Sequence, residues 1–523
     1  MGFHRVNEIA HRPRFSQARS AFPWILAGLS AAGLVSWILM LGPTLVNDEY
    51  AAIDYCYRVI HQAGFYPTPT RLHKPLAVLT GLSALPAGPL GYELVTAAWA
   101  VVFVLFSFLA VRRALGEKIA MVAAILIASN PDLFLYAAQG ITVVPLLAGG
   151  FLCIHAMLQW DENPRALWRY AVVAFLIGLL RPDAWLFGIP LAFAFFSRRQ
   201  KRGDLRFLLA AGIIGLAPVI WFSKDWWING DLLHSLHVSA RDKAVGLGSP
   251  FSAWEALVFF KKFIAPRLGN ITFLTGLFGI ALFAFPRRLP ALLHPLVLFP
   301  LLISAFVWFL IRATGVYPQQ RYFFFPLVFL LIFAGYVWVK MAEKIPTLRP
   351  PWRWFGIGFL LVGVVFHFAA AGRGFQLNYR ELAHEAQIQR EIKVLAEVLK
   401  SQIPTGERPL ILLPSRRDEQ LSWLFRNREI PNIVTFREAF HYWFIYRYPF
   451  LNLGPRWIIY IDKDFHIRSV EEEFQWLGRQ DHTELQGAKI DIFFATDLIR
   501  LFRVTYPPDG QTPPPPPPIH FVE

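Results

Sequence analysis

The sequence predicts a polytopic α-helical membrane protein with a smaller α/β domain towards its C-terminal end. Of the 523 residues, 55% are hydrophobic and only 17% are charged, whereas soluble domains usually carry about 25% charged residues. Apolar runs of membrane-spanning length recur through residues 1–372. Beyond them, short buried-strand patterns alternate with helical patterns, which is typical of an α/β domain.

About eleven apolar segments could cross a bilayer, although several are shorter than the ~20 residues of a straight span. The first is too long for the apolar core of a cleaved signal peptide, so we expect an uncleaved span. A further apolar stretch, 76–90, is broken by Pro86, Gly88 and Pro89, and we predict a re-entrant or interfacial helix there. The predicted spans are 22–43, 91–111, 118–131, 141–158, 168–180, 184–197, 205–223, 267–285, 291–311, 322–340 and 354–372.

Basic loops predict the orientation. The loops SRRQKR (197–202) and PRRLP (286–290) lie on the same predicted side as the N-terminus, and Lys and Arg are enriched in cytoplasmic loops. We therefore expect a multi-pass protein of the cytoplasmic (inner or plasma) membrane with a cytoplasmic N-terminus and an extracytoplasmic C-terminal domain. The net charge of +15 resides largely in such loops, where it attracts membrane lipids, so we exclude nucleic acid as a partner.

The predicted domains are a catalytic transmembrane domain at 1–372, with a long first external loop at 44–90, and an extracytoplasmic α/β domain at 373–510. The second has an amphipathic helix at 380–400. Its short strands are predicted at 409–415, 432–436 and 456–462, and predicted helices such as 418–426 and 468–478 alternate with them. No glycine-rich fingerprint follows a strand, so no nucleotide site is assigned. Residues 511–523 form a proline-rich tail, which we expect to be extended.

The first external loop places Asp48, Glu49, His73 and Lys74 beside an apolar span. Ionisable side chains next to hydrocarbon are costly unless they have a function or a partner. We interpret Asp48 or Glu49 as a catalytic carboxylate and Lys74 as a phosphate ligand. The alternative is a solvated loop whose charges stay in water.

More polar residues fall at span ends on the same predicted face: Arg181 and Asp183; Asp231, His234 and His237; and Gln320, Arg321 and Tyr322. Each group has a structural alternative. Arg181 and Asp183 could neutralise each other, and Arg321 could extend to the lipid headgroups. The two histidines are one helical turn apart but lack a clear third ligand. No cofactor is therefore certain, and a divalent metal stays open.

This set of side chains suits group transfer from an anionic lipid carrier. A carboxylate can deprotonate an acceptor hydroxyl, while Lys74, Arg181 and Arg321 can neutralise a phosphate that leaves with negative charge. An external face offers no nucleotide sugar, so the donor would arrive already activated on a lipid. The reaction would be a single in-line displacement at a sugar carbon.

The motifs resemble those of the GT-C superfamily of membrane glycosyltransferases, in the group of the aminoarabinose transferases of lipid A and the protein O-mannosyltransferases. The matching elements, in order, are Asp48-Glu49, His73-Lys74-Pro75-Leu76, Arg181-Pro182-Asp183-Ala184, Asn229-Gly230-Asp231-Leu232-Leu233 and Arg321-Tyr322 through Pro326. The resemblance implies that Asp48 is the catalytic base and that Lys74 and Arg321 contact the donor phosphate. One departure is Gln139, close to where many members have a second acidic residue.

The sequence thus predicts an inverting hexosyl- or pentosyltransferase that uses a polyprenyl-phosphate sugar donor. Its acceptor would be a hydroxyl of a glycan, lipid or protein. Two alternatives remain. A transporter or lipid flippase would show internal repeats and midplane charges. A non-catalytic membrane assembly subunit would tolerate Asp48→Asn but lose function without its C-terminal domain.

Overall fold

In the computed structural model the chain forms two compact units. The first comprises Met1–Met40 and Phe65–Arg380, and the second comprises Leu41–Gly64 and Glu381–Glu523. The predicted boundary between residues 372 and 373 stays a prediction. The structure describes residues 21–45, 47–63, 74–160, 162–197, 205–235, 237, 258, 268–284, 294–314, 320–414, 417–426, 432–435, 455–461, 481–485 and 488–506.

The first unit is helical throughout its described part. Its helices are α1 (Phe22–Leu41), α3 (Pro75–Thr80), α4 (Ala84–Ala87), α5 (Pro89–Leu115), α6 (Glu117–Ala128), α7 (Pro131–Ala138), α8 (Val143–Met157), α9 (Pro164–Gly178), α10 (Gly188–Ser197), α11 (Leu205–Asn229), α12 (Asn270–Ala284), α13 (Pro295–Thr314), α14 (Phe324–Lys344) and the first part of α15 (Pro350–Gln402). Short 3₁₀ turns lie at Gly81–Ser83, Pro182–Phe187, Gln320–Phe323 and Ile345–Thr347. Each predicted span overlaps one of these helices.

Helix lengths and composition show a multi-pass membrane protein. Five described helices are long and apolar enough to cross a membrane, and the pair α6–α7, bent by 55°, would make a sixth. Shorter apolar helices accompany them at Pro75–Ala87, Val143–Met157, Asn270–Ala284 and Pro295–Phe309. The total of about eleven spans stays a prediction.

Helix α14 is the centre of the first unit. Its apolar stretch is 83% buried, whereas those of α1 and α11 are 28% buried and expose side chains such as Leu29 and Leu216. Helix α12 lies directly against α14, because Gly276 and Gly279 have no side chain. A Cβ atom at Gly279 would fall 2.3 Å from the carbonyl oxygen of Phe333. Small residues permit this close approach of two membrane helices.

The second unit contains a six-stranded sheet in the order β2-β1-β3-β6-β5-β4. Its strands are β1 (Leu410–Leu413), β2 (Asn432–Thr435), β3 (Trp457–Ile461), β4 (His482–Leu485), β5 (Ala488–Ala495) and β6 (Ile499–Thr505). The first three, which the sequence predicts, are parallel, and the last three add an antiparallel half. The end of α15 and α16 (Asp418–Leu424) cover the sheet through a core that includes Ile392, Leu395 and Leu421.

Helix α2 (Asn47–Arg58), with a π-helical turn at Val59–Ala63, also belongs to the second unit. It carries the acidic pair of the predicted first external loop and packs against α16. The predicted helix over 468–478 and the proline-rich tail lie outside the described residues.

Candidate functional site

Lys74 lies at the start of α3, where two other segments of the first unit meet it. Its Nζ donates a hydrogen bond to the Oγ1 of Thr142, 3.2 Å away, at the start of α8. The backbone N–H of Leu76 donates to the carbonyl oxygen of Leu179, at 3.3 Å, just beyond the end of α9. The segment that carries Lys74 is thereby fixed between the beginning of α8 and the end of α9.

Arg181 follows two residues after that contact and forms an ion pair with Asp183. The Nε of Arg181 donates to both carboxylate oxygens, at 3.0 and 3.2 Å, and Nη2 lies 3.0 Å from Oδ2. The side chains are only 12% and 6% exposed. The alternative expected from the sequence, mutual neutralisation, is thus present, although one side of a guanidinium can still meet a second anion.

Arg321 lies in the 3₁₀ turn Gln320–Phe323, which leads into α14. Phe324, at the start of that helix, packs edge-on against Tyr136 of α7, with ring centroids 5.1 Å apart. The connection from Tyr136 to Thr142 therefore contacts both the Lys74 segment and the beginning of α14. The side chains of Gln320 and Tyr322 are outside the described part of the structure.

These contacts gather three predicted phosphate ligands, Lys74, Arg181 and Arg321, on neighbouring segments at one end of the first unit. They lie where α3, α8 and α14 begin and α9 ends. Lys and Arg bind phosphate through charge-assisted hydrogen bonds. Side chains of these types at this end of the bundle are chemically suited to an anionic group, with Arg181 already sharing part of its guanidinium with Asp183.

Asp231 organises the turn that follows α11. Its Oδ1 accepts the backbone N–H of Leu233 at 2.9 Å, and its Oδ2 lies 2.7 Å from the Nδ1 of His237. Partial burial tends to raise the pKa of Asp231, but the bonds from Leu233 and His237 outweigh it and lower the pKa. Gly230, with φ of 70°, allows the chain to enter this turn. Asp231 and His237 are thus paired with each other, while His234 joins the turn through its backbone.

A buried acidic residue near this turn, Asp225, is missing from the sequence-based predictions. It is completely buried, 2.7 Å from the Nζ of Lys224, and accepts the N–H of Ser235 at 2.9 Å. The ring of Trp221, one turn earlier, packs on Trp185 of the Arg181 segment. Helical spacing could have identified Asp225, because it continues the buried stripe of Ile214, Ala217 and Trp221.

Two further buried carboxylates were also not predicted as site residues. Glu93 of α5 is completely buried and shares its helix face with Ala97 and Ala100. Asp132 of α7 is 3% exposed and accepts a hydrogen bond from the side-chain amide of Asn378 at 3.4 Å. An acidic residue on the apolar face of a membrane helix is itself a functional signal.

The acidic pair lies in α2, in the second unit. Asp48 occupies the first turn of this helix, and its side chain is not among those described. Glu49 is 1% exposed. One turn later Asp54 forms an ion pair with Arg58 at 2.7 Å.

A metal centre has no complete ligand set in the described part of the chain. No three His, Cys, Asp or Glu side chains of that part come together in a group that could hold an ion. His73 lies outside the described residues. The two thiols, Cys56 and Cys153, are free and buried.

The described helices define a multi-pass membrane protein in which the segments that carry Lys74, Arg181 and Arg321 adjoin one another. Comparison with solved structures gives the fold. ArnT from Cupriavidus metallidurans, solved with undecaprenyl phosphate, matches with a TM-score of 0.56 and 15% identity, over 92% of this chain and 98% of that one. The Archaeoglobus fulgidus oligosaccharyltransferase matches with a TM-score of 0.53 and 11% identity, over 85% and 70% of the two chains.

Both solved proteins are GT-C glycosyltransferases. The chain therefore has the GT-C fold, and the resemblance identified from its motifs is confirmed at the level of the fold. No family model matches the sequence, and no curated protein does so either.

Proposed function

We propose that the protein is an inverting membrane glycosyltransferase that moves a hexose or pentose from a polyprenyl-phosphate donor to a hydroxyl of a glycan, lipid or protein. The observation that carries the proposal is that the segments with Lys74, Arg181 and Arg321 adjoin one another at one end of a GT-C-fold unit. ArnT binds undecaprenyl phosphate. The A. fulgidus enzyme was solved with an inhibitory peptide and a dolichol-phosphate, at a TM-score of 0.50. Both observations support a lipid-linked donor here.

In the proposed reaction the Asp48 carboxylate accepts the proton of the acceptor hydroxyl, and Glu49 has an orienting or binding role. The acceptor oxygen forms a bond to the anomeric carbon as the bond from that carbon to the phosphate oxygen breaks. The bonding electron pair leaves with the polyprenyl phosphate. Lys74 and Arg321, assisted by Arg181, stabilise the charge that develops on this leaving group.

The remaining residues would bind substrate: His73, Asp183, Asp231, His234, His237, Gln320 and Tyr322. The reaction would take place at the outer face of the membrane, with the N-terminus in the cytoplasm and the C-terminal domain outside. Carboxylate–histidine pairs such as Asp231–His237 suit sugar hydroxyls, because they offer a donor and acceptors close together.

The test is transfer of radiolabelled sugar from a panel of polyprenyl-phosphate sugars by the purified full-length protein in liposomes. We expect wild-type transfer, a loss of ~10²-fold or more in Asp48→Asn, and a raised KM for the donor in Lys74→Met. The matched control is Lys118→Met, which removes an exposed lysine side chain from the start of α6.

Equal rates for wild type and a folded Asp48→Asn variant would contradict the assignment of the base. Lipid or solute movement without transfer would favour the transporter alternative.

A further inference from the structure

Helix α2, which carries Asp48 and Glu49, is linked by side chains to the C-terminal part of the second unit. The first link is a buried polar chain. The hydroxyl of Tyr50 donates to the Oε1 of Gln389 at 2.9 Å, and the Nε2 of Gln389 donates to the Oε1 of Glu385 at 3.1 Å. Glu385 in turn accepts two hydrogen bonds from Arg417, at 2.5 and 2.9 Å. The chain thus joins α2 to α15 and to the residue that precedes α16.

A second link lies one helical turn further along α2. The hydroxyl of Ser422, in α16, donates to the Oδ2 of Asp54 at 3.1 Å and accepts from the Nη2 of Arg58 at 2.6 Å. Arg58 and Asp54 also contact each other, so the three side chains form a closed triangle. Tyr57 packs edge-on against Trp423, with centroids 5.6 Å apart. One face of α2 is therefore joined to α16 by polar and aromatic contacts.

A third link fixes the segment through which the chain enters α2. The Nε2 of Gln389 also donates to the carbonyl oxygen of Leu45, at 2.8 Å, two residues before the helix begins. The Nη1 of Arg390 donates to the carbonyl oxygen of Leu41 at 3.3 Å. Contacts to Leu41 and Leu45 before α2, and to Tyr50 within it, thus flank the first turn of the helix, where Asp48 lies.

We infer that the C-terminal α/β domain serves as the support of α2, and that Tyr50 and Ser422 are positioning residues for the acidic pair. This support is a structural role; its catalytic consequence rests on the proposed function. A buried polar chain such as Tyr50–Gln389–Glu385–Arg417, in which each side chain hydrogen-bonds to the next, favours one arrangement over its alternatives. A base displaced by about 1 Å loses up to ~10²-fold in rate, so a fixed α2 would matter for transfer.

The test compares Tyr50→Phe and Ser422→Ala with wild type in the full-length protein. Each removes one hydroxyl and creates little empty volume. The matched controls are Tyr506→Phe and Ser401→Ala. Their hydroxyls donate to the carbonyl oxygens of Pro455 and Val398, in hydrogen bonds that include no residue of α2. Ser422→Thr keeps the hydroxyl and should behave like wild type.

Two readouts are measured on each variant. We expect amide hydrogen exchange in residues 50–56 to become ~10-fold faster or more in Tyr50→Phe and Ser422→Ala, with β1, β3 and β6 unchanged. We expect kcat for sugar transfer to fall ~10-fold or more with donor KM within ~2-fold of wild type, because the donor phosphate is assigned to the first unit. The controls should change neither.

The outcomes separate the inference from the proposed function. Unchanged exchange in both variants would overturn the support of α2. Faster exchange with wild-type kcat would overturn the positioning role. Faster exchange in a protein whose wild type transfers no sugar would leave the support standing and contradict the proposed function.

Discussion

Arg181 and Asp183 share a two-pronged ion pair that is largely withdrawn from water. The ion pair limits how Arg181 can bind a ligand. The Asp183 carboxylate occupies Nε and Nη2, so only the other side of the guanidinium can meet a ligand. The sequence predicts Lys74, Arg181 and Arg321 as phosphate ligands, since each is a basic residue at the edge of an apolar run. The sequence does not reveal which groups hold the Lys74 segment in place. Its hydrogen-bond partners, Thr142 and the carbonyl of Leu179, are remote in sequence from Lys74 and Leu76.

Asp183→Asn should destabilise the fold. Removing one charge from a buried pair leaves the guanidinium uncompensated, at a cost of about 3 kcal/mol. Denaturant titration in mixed micelles would measure the loss. The control is Asp481→Asn, in an ion pair whose carboxylate is 86% exposed and which should contribute about 0–1 kcal/mol. A loss no larger than that of the control would show that the Arg181–Asp183 pair contributes little.

At the scale of elements, the predicted spans became helices because long apolar runs satisfy their backbone groups only as helices in lipid. The apolar pattern does not predict helix α7, because it ends a span at Pro131. The structure instead has Pro131 as the first residue of a new helix whose cap is Asn130, with its Oδ1 accepting the N–H of Asp132. Strands β5 and β6 were also missed, although AKIDIFFA and IRLFRVT have strand-forming residues.

The contact between α12 and α14 gives a prediction at this scale. Gly279→Ala would place a methyl group 2.3 Å from the carbonyl oxygen of Phe333, so the helices must separate at a cost of about 1–3 kcal/mol. The matched control is Gly215→Ala on α11, where an added Cβ meets nothing within 4 Å. Thermal unfolding in detergent should show a lower midpoint for the first variant alone. Equal midpoints would mean that the two helices are free to move apart.

At the scale of the whole molecule, the second unit is discontinuous in sequence, because Leu41–Gly64 joins Glu381–Glu523. Local patterns could not predict this association. Periodicity indicates which face of an element is apolar. It cannot predict the hydrogen bond between the Tyr50 hydroxyl and the Gln389 amide, because these residues are 339 positions apart. The amphipathic helix over 380–400 and the three parallel strands were predictable, since each depends on local spacing alone.

The membrane orientation can be tested with single cysteines. Ser401→Cys and Thr347→Cys each introduce an exposed thiol, the first in the second unit and the second in a loop predicted to be cytoplasmic. A membrane-impermeant maleimide applied to intact cells should label only Ser401→Cys. The native background should be low, because Cys56 and Cys153 are buried and burial also raises the pKa of the Cys56 thiol. Labelling of Thr347→Cys instead would reverse the predicted orientation.

The long sequence separation between α2 and its partners also bears on how the protein is made. Ser422 follows Asp54 by 368 residues, and ribosomes add roughly 5–20 residues per second. Helix α2 must therefore wait about 20–70 s after its own synthesis before Ser422 has been added. During that interval Asp54 has Arg58 beside it but not Ser422, and Tyr50 has no Gln389. Newly made chains that stop before α16 would expose this incomplete helix to chaperones and proteases. Because α16 follows the apolar helices in the chain, the second unit can be completed only after those helices have been made.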